Sequence, residues 1–380
     1  MKVTIVGAGS AGLSAGIIFR GLFDADVTVL ERANEGEAPG LGVALLPFAL
    51  DELGRLLKNP YRPPQRAPGP ISSAGLGPHA DTFFAIDRVM RVFAGQSNGG
   101  EVIERTRTQG IQYAGVKRAA LVDMLTGAAR SAGVKIEYGA DISEARVHGE
   151  REGSDLLIGA DGAGSVVRST FAAQFHPVAE DAKSRFAWLD LEGRIEQFTF
   201  GYMYVAGRGL IRVSAYPHSK TESSAIVTHS MGLTKFFDGE GMTEGEGFIS
   251  DQGLRAINEV FSACLGGRKL GGRSRWRRFR ATHCQRAAFD NVALLGDAHA
   301  TLFYETGWGT SAAIQEASVL GQTMLKGRSL QEGLEIFDRK STEIAQGAIA
   351  ATLKAMRQID GQAAKFYQLG PEKFLALKTA

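Results

Sequence analysis

Residues 2–32 read KVTIVGAGSAGLSAGIIFRGLFDADVTVLER. A short β-branched run, residues 2–6, enters the glycine turn Gly7-Ala8-Gly9-Ser10-Ala11-Gly12 with no spacer. Residues 13–19 have helix-forming, mostly apolar composition, and residues 26–30 form a second strand ending in Glu31-Arg32. Strand, glycine turn, helix and acid-terminated strand make one βαβ unit of the dinucleotide-binding kind. Gly7 permits the tight turn, Gly9 lets a pyrophosphate approach the backbone, and Gly12 lets helix and strand pack closely. N–H groups at the helix start, around Ser10 and Ala11, favour phosphate. Glu31 is placed to accept hydrogen bonds from a ribose diol. In a chain with 48 glycines a bare G-x-G-x-x-G means little; the two strands, the helix and the acid give it weight. The motif does not separate FAD from NAD.

Outward from this unit, composition bounds the rest. With 380 residues, 44% of them hydrophobic, the chain has material for two domains or one two-lobed unit. A net charge of +2 argues against a polyanion-binding protein. The basic cluster RSRWRRFR, residues 273–280, reads as arginines on the wet face of a strand, with nucleic acid or an anionic substrate as the competing reading. No segment approaches the roughly 18 apolar residues of a membrane span. The N-terminus enters a strand directly, which leaves no room for a signal peptide. Cys264 and Cys284 form no framework, and no His/Cys cluster has metal-ligand spacing. The expectation is a soluble cytoplasmic protein with no metal, nucleic-acid or membrane partner.

Two later stretches repeat the opening logic. Residues 155–158 run into Gly159-Ala160-Asp161-Gly162, and a helix start follows with Arg168 one turn in. Residues 291–295 run into Gly296-Asp297-Ala298-His299, and Gly307-Trp308-Gly309-Thr310-Ser311 opens a helix over 312–325. Ligands of open α/β sheets bind at the carboxyl ends of the strands, and helix N-termini favour anions. For Asp161 alone, a helix cap competes with a ligand role. Between these stretches, residues 60–78 carry six prolines and no regular element, and read as a surface loop or a lid. Residues 186–191, 197–205, 210–216 and 224–229 read as consecutive antiparallel strands. A period of two puts Phe198, Phe200, Tyr202 and Tyr204 on one face, as plain core or as the wall of a flat aromatic-substrate cavity. Residues 251–265 and those from 335 onward read as helices.

The set of stretches at 7–12, 159–168 and 296–311 resembles the class A flavin-dependent aromatic hydroxylases, which share the para-hydroxybenzoate hydroxylase fold. Residues 186–189, 198–200 and the Gly307-x-Gly309-Thr310 helix start look most like their salicylyl-CoA hydroxylase and violacein-pathway branch. The resemblance implies an α/β fold in which a Rossmann-like FAD-binding domain (1–80, 111–182, 283–330) is interleaved with a mostly antiparallel substrate domain (81–110, 183–282), before C-terminal helices at 331–380. It implies that Gly7, Gly9, Gly12 and Glu31, with Ser10, Ala11 and Arg32, hold the ADP half of FAD, and that Arg118 faces the pyrophosphate. Asp161, with Gly162 and Arg168, would serve flavin and NAD(P)H. Gly296-Asp297 would bind the ribityl or pyrophosphate region, and Gly307, Gly309, Thr310 and Ser311 the flavin's carbonyl edge. The chain departs from the family pattern at His299, one place early, at Tyr304, where a proline is common, and at Ser311, where asparagine is usual. It also lacks an arginine in the 40–47 loop.

The implied reaction is hydroxylation of an aromatic substrate, phenolic, indolic or linked to CoA or a carrier protein. It consumes O2 and NAD(P)H through a flavin hydroperoxide on non-covalent FAD, in a monomer or homodimer. Val43, Trp188, the four aromatics of 198–204 and Tyr304 are the expected pocket. His218, Tyr216, Arg212 and His229 are candidates for deprotonating a phenol, each with a packing role as its competitor. A flavin-dependent reductase or dehydrogenase without oxygen transfer is the nearest rival, followed by a non-catalytic FAD-binding redox sensor. A halogenase is disfavoured because Trp188, Trp276 and Trp308 stand apart, with no W-x-W-x-I-P signature.

Overall fold

A computed structural model describes residues 1–37, 41–63, 73–94, 102–205, 209–239 and 241–379. The opening unit forms as its pattern predicts: strand Lys2–Val6, helix Ser10–Phe23 and strand Asp26–Glu31. Lys2–Val6 lies inside a six-stranded sheet between Asp26–Glu31 and Leu156–Gly159. Lys135–Tyr138 closes one edge; Val292–Leu294 and then Ala288–Phe289 close the other. All neighbours are parallel except that last pair. Val3, Ile5, Leu156, Ile158 and Ala293 have no exposed surface, the continuous apolar pattern of a parallel sheet covered on both faces. Gly7 has φ +105°, and a Cβ there would sit 2.5 Å from the Ala160 carbonyl oxygen. A Cβ on Gly12 would sit 1.9 Å from the Gly7 oxygen, so packing alone excludes any other residue at either position.

The second sheet has nine strands. Their order is Leu270–Gly271, Pro177–Leu191, Ser223–His229, Gly209–Pro217, Phe198–Val205, Phe84–Ala94, Val102–Lys117, Gly42–Leu45, with Arg277–Cys284 also paired to Pro177–Leu191. Pairing is antiparallel except between Phe84–Ala94 and Phe198–Val205. One face packs on helix Asp251–Phe261, burying Met203, Ile211, Val213 and Val227 with Ile257 and Phe261. Toward one end of the other face lies the C-terminal helix Gln362–Thr379, where Tyr202 meets Phe374 and Tyr204 meets Phe366. Helix Gly309–Lys326 packs on Ser10–Phe23 and carries the chain back to the six-stranded sheet.

The structure differs from the sequence reading in several places. The anticipated cuts at 110/111 and 182/183 fall inside single strands, Val102–Lys117 and Pro177–Leu191. Gly42–Leu45, anticipated in the nucleotide part, pairs with the larger sheet. Long twisted strands thus run across the anticipated boundaries. Ser73–Thr82, which begins inside the stretch expected to hold no regular element, forms a 3₁₀ helix with Pro78 within it. Residues 64–72, and the choice between loop and lid, lie outside the described residues. Helix Glu144–Glu152 had no apolar stripe to announce it; Val147 is its one buried residue and Ser143 caps it. In the basic cluster, Arg277, Arg278 and Arg280 are exposed, and Arg280 pairs with Asp181 at 2.7 Å. No helix among the described residues is long and apolar enough to cross a membrane.

Candidate functional site

A cavity of about 330 Å³ lies where the two sheets meet, a size typical of small-molecule sites. Its sheet wall follows from strand register. Trp188 stands opposite Ile226, Ile226 opposite Ser214, and Ser214 opposite Phe200. Alternation puts these on the face away from helix Asp251–Phe261, and all four line the cavity. In the next row Phe186 pairs with Thr228, Thr228 with Arg212 and Arg212 with Tyr202. Phe186 lines the cavity against Tyr304, their ring centroids 4.6 Å apart, and the Tyr304 hydroxyl meets that of Thr228 at 2.9 Å. Phe198 and Tyr216 pack at 5.3 Å, and Tyr216 donates its hydroxyl to the Gly42 oxygen at 2.7 Å. Val43 completes the expected wall.

Opposite stand the loops at the strand ends: Gly9, Ser10 and Ala11; Ala160 and Gly162; Leu295 and Asp297; Gly307, Gly309 and Thr310. Helices Ser10–Phe23 and Gly309–Lys326 both begin here with no side-chain cap, so their first N–H groups are left for a ligand. Two of these glycines fit a bound dinucleotide in a way packing does not explain. A Cβ on Gly9 or Gly309 would meet nothing within 4 Å; the same holds at Gly162, where a φ of +80° already favours glycine. The space in front of them is left open by the protein, in contrast to Gly7 and Gly12. Arg118, exposed at the start of its helix, lines the cavity and makes no ion pair among the described residues. Asp297 lines it too, and its carboxylate oxygens accept no hydrogen bond among the described residues. Burial pushes that carboxyl up to about 6; Arg118 and Arg168 oppose the shift and Glu316 adds to it. Glu31, at its strand end, receives Ala8 N–H at 2.8 Å and Ala33 N–H at 2.9 Å. A free guanidinium, an unpartnered carboxylate and two open helix starts suit the pyrophosphate and hydroxylated chain of FAD.

Other anticipated residues serve the protein itself. Asp161 caps helix Val166–Thr170, accepting from Ser165 Oγ at 2.5 Å and Val166 N at 2.6 Å. Arg168 is buried and donates to the backbone oxygens of Ala163, Asp297 and Ala298, tying two loops together. Ser311 is fully buried and accepts Leu46 N–H at 2.9 Å. Arg32 is exposed and away from the cavity. Tyr202 and Tyr204 share the face of Phe198 and Phe200 as predicted, but the C-terminal helix covers them, so only the first two aromatics reach the cavity. His229 points to the opposite face, stacked on Phe237 at 4.9 Å, where burial lowers its pKa to about 4. His218 is buried outside the cavity, close against Gly42, and burial lowers its pKa. Arg212 lies just behind the wall in a buried ion pair with Glu305.

Some residues of the site carry no sequence signal. Glu305 and Thr306 come from the short 3₁₀ turn Tyr304–Thr306, Phe279 from the strand of the basic cluster, read there for its arginines, and Tyr113 from strand Val102–Lys117. Ser214 was within reach, since the alternation that selects Arg212 and Tyr216 also selects the residue between them. Behind the Gly296-Asp297 turn, Glu316 accepts Gly296 N–H at 2.6 Å and meets His299 Nδ1 at 2.6 Å, and Ser341 Oγ donates to it. His299 is thus a buried prop of this turn.

The mainly parallel sheet, its three cavity-facing turns and the aromatic sheet packed across from them define the flavoprotein fold of the para-hydroxybenzoate hydroxylase class. The chain belongs to the FAD binding domain family, whose model matches residues 73–352. It is 29% identical over 349 residues to salicyloyl-CoA 5-hydroxylase of a Streptomyces species, matching 90% of this chain and 62% of that protein, so it spans less than two thirds of that relative's length. It is 26% identical to 3-hydroxy-4-methyl-anthranilyl-[aryl-carrier protein] 5-monooxygenase of Streptosporangium sibiricum, over 93% of this chain and 88% of that one. In fold it resembles 2-methyl-3-hydroxypyridine-5-carboxylic acid oxygenase, with a TM-score of 0.67 at 20% identity over 94% of this chain and 92% of the other.

Proposed function

We propose that this chain is an FAD-dependent monooxygenase that consumes NAD(P)H and O2 to hydroxylate an aromatic ring. The observation that carries this reading is a single cavity with dinucleotide-type loops on one wall and Phe186, Trp188, Phe198, Phe200 and Tyr216 on the other. FAD, when bound, supplies the electron transfer and the oxygen activation. The residues of this chain bind, orient and shield. Gly9 to Ala11 and Arg118 would hold the pyrophosphate of FAD, Asp297 would accept from its hydroxylated chain, and the Gly309 and Thr310 N–H groups would donate to its ring. The aromatic wall holds a flat substrate beside that ring and keeps water out. Two of the similar proteins are named for acyl groups held on CoA or a carrier protein, which supports a linked aromatic acyl group as substrate. The test is FAD-reconstituted protein screened for substrate-stimulated NAD(P)H oxidation across phenols, indoles and aryl thioesters. One O2 consumed per NAD(P)H and per oxygenated product is expected. Reduction products formed without O2 would favour a reductase, and protein that cannot be loaded with FAD would overturn the reading.

A further inference from the structure

The nine-stranded sheet carries a buried charged group that the proposed reaction has not used. Glu305 lines the cavity on the loop after Phe303, and its side chain is 9% exposed. Arg212 pairs with one of its oxygens from behind, and Ser214, itself a wall residue, donates to the other at 3.0 Å. A carboxylate has about four acceptor positions; among the described residues one donor reaches each oxygen, and Glu305 itself lines the cavity. Arg212 is 5% exposed, so the pair is built in behind the wall and is no surface ion pair; its Nε has no hydrogen-bond partner among the described residues. Keeping a charge there costs desolvation, which is recovered only if the carboxylate's remaining positions are satisfied.

We propose that Glu305 is a substrate-binding carboxylate, which accepts a hydrogen bond from a hydroxyl or amino group on the ring of a substrate whose own carboxyl group is esterified or absent. The second half follows from charge. Asp297 and Glu305 are both acids of the cavity, and Arg118, at the nucleotide end, is the only basic residue among its described lining residues. A free aryl carboxylate would meet the acid Asp297 and a Glu305 whose only cation, Arg212, is already paired, and would find no cation of its own, whereas a thioester or amide needs none. A ring donor bonded to Glu305 also gains electron density on the ring, the property that attack by an electrophilic oxygen requires. This inference rests on the proposed hydroxylase reading and specifies its substrate class.

The test is binding, read by calorimetry on FAD-loaded protein, with three probes: the salicyloyl and benzoyl thioesters of N-acetylcysteamine, and free salicylate. The salicyloyl thioester is expected to bind at least about tenfold more tightly than the other two, as a hydrogen bond to a charged group predicts. Glu305→Gln, which keeps an uncharged acceptor, is expected to lose at least about threefold of that preference. The double variant Glu305→Met with Arg212→Met leaves no unpaired buried charge; it is expected to bind both thioesters alike, with benzoyl affinity unchanged. Equal affinity for the thioesters in the unaltered protein, a preference that survives in both variants, tighter binding of salicylate, or no binding of either thioester would overturn the proposal. Because binding is read without turnover, a Glu305-dependent preference with no oxygenated product would overturn only the hydroxylase reading.

Discussion

Asp297 shows how a buried acid on the cavity wall weighs on the protein's own stability. Its carboxyl titrates near 6, against 3.8 for an ordinary aspartate, because burial penalises the ionised form. A folded-state pKa above the unfolded one gives a stabilising contribution that is complete below about 4 and lost as pH rises through about 6. In the apoprotein the loss is on the order of 3 kcal/mol by pH 7. Asp297→Asn is therefore expected to raise the melting temperature of the apoprotein at pH 7.5, to raise it by much less at pH 4.5, and to lower FAD occupancy; thermal melts at both pH values check this. Tyr216 is the opposite case, with its ring on the cavity wall and its hydroxyl spent on the Gly42 oxygen. Tyr216→Phe is expected to cost about 1 kcal/mol in chemical denaturation and to leave FAD binding intact. The sequence shows that these residue types lie on the sheet; it does not show which atoms the protein has already used. The side chains of Asp161, Arg168 and Ser311, all read from the sequence as part of the ligand site, are each bonded within the protein.

At the scale of elements, the strand-turn-helix units were legible because each carries redundant signals: β-branched strands, glycines at fixed offsets and an acid at the strand end. Alternation gave the correct face for Phe198 through Tyr204. It could not give where along that face the cavity stops, because helix Gln362–Thr379 sets that limit from far along the chain. The glycines of the first turn separate packing from binding, and this is testable. Gly9 has φ −82° and open space before it, so Gly9→Val is expected to leave the apoprotein's melting temperature within a few degrees while weakening FAD at least about tenfold. Gly12→Val places atoms inside the Gly7 carbonyl and is expected to abolish folding. Folded Gly9→Val protein with normal FAD affinity, read by flavin fluorescence titration, would remove this turn from the site. Glu316 acts through the turn it props: Glu316→Ala is expected to weaken FAD binding without touching it, and Asp297→Asn with Glu316→Ala together to weaken it less than the sum of the two.

Across the whole molecule, the site exists only where two sheets with different rules meet. The parallel sheet presents loops and helix starts at its carboxyl edge, as open α/β sheets do. The larger sheet presents one stripe of alternating side chains, covered beyond the cavity by the C-terminal helix. Their general arrangement was legible from the order of the three ligand-facing stretches. The loop that delivers Glu305 and the strands that run across the anticipated domain cuts were not, since register and loop path depend on partners distant in sequence. On the proposed reading, these walls hold a flavin beside an aromatic ring and pass that ring an oxygen atom. The most direct measurement is a single incubation of FAD-loaded protein with NAD(P)H, isotopically labelled O2 and salicyloyl thioester, followed by mass spectrometry of the product. One labelled oxygen on the ring is predicted; NAD(P)H oxidation with no label in any aromatic product, across donor-bearing thioesters, phenols and indoles, would contradict it.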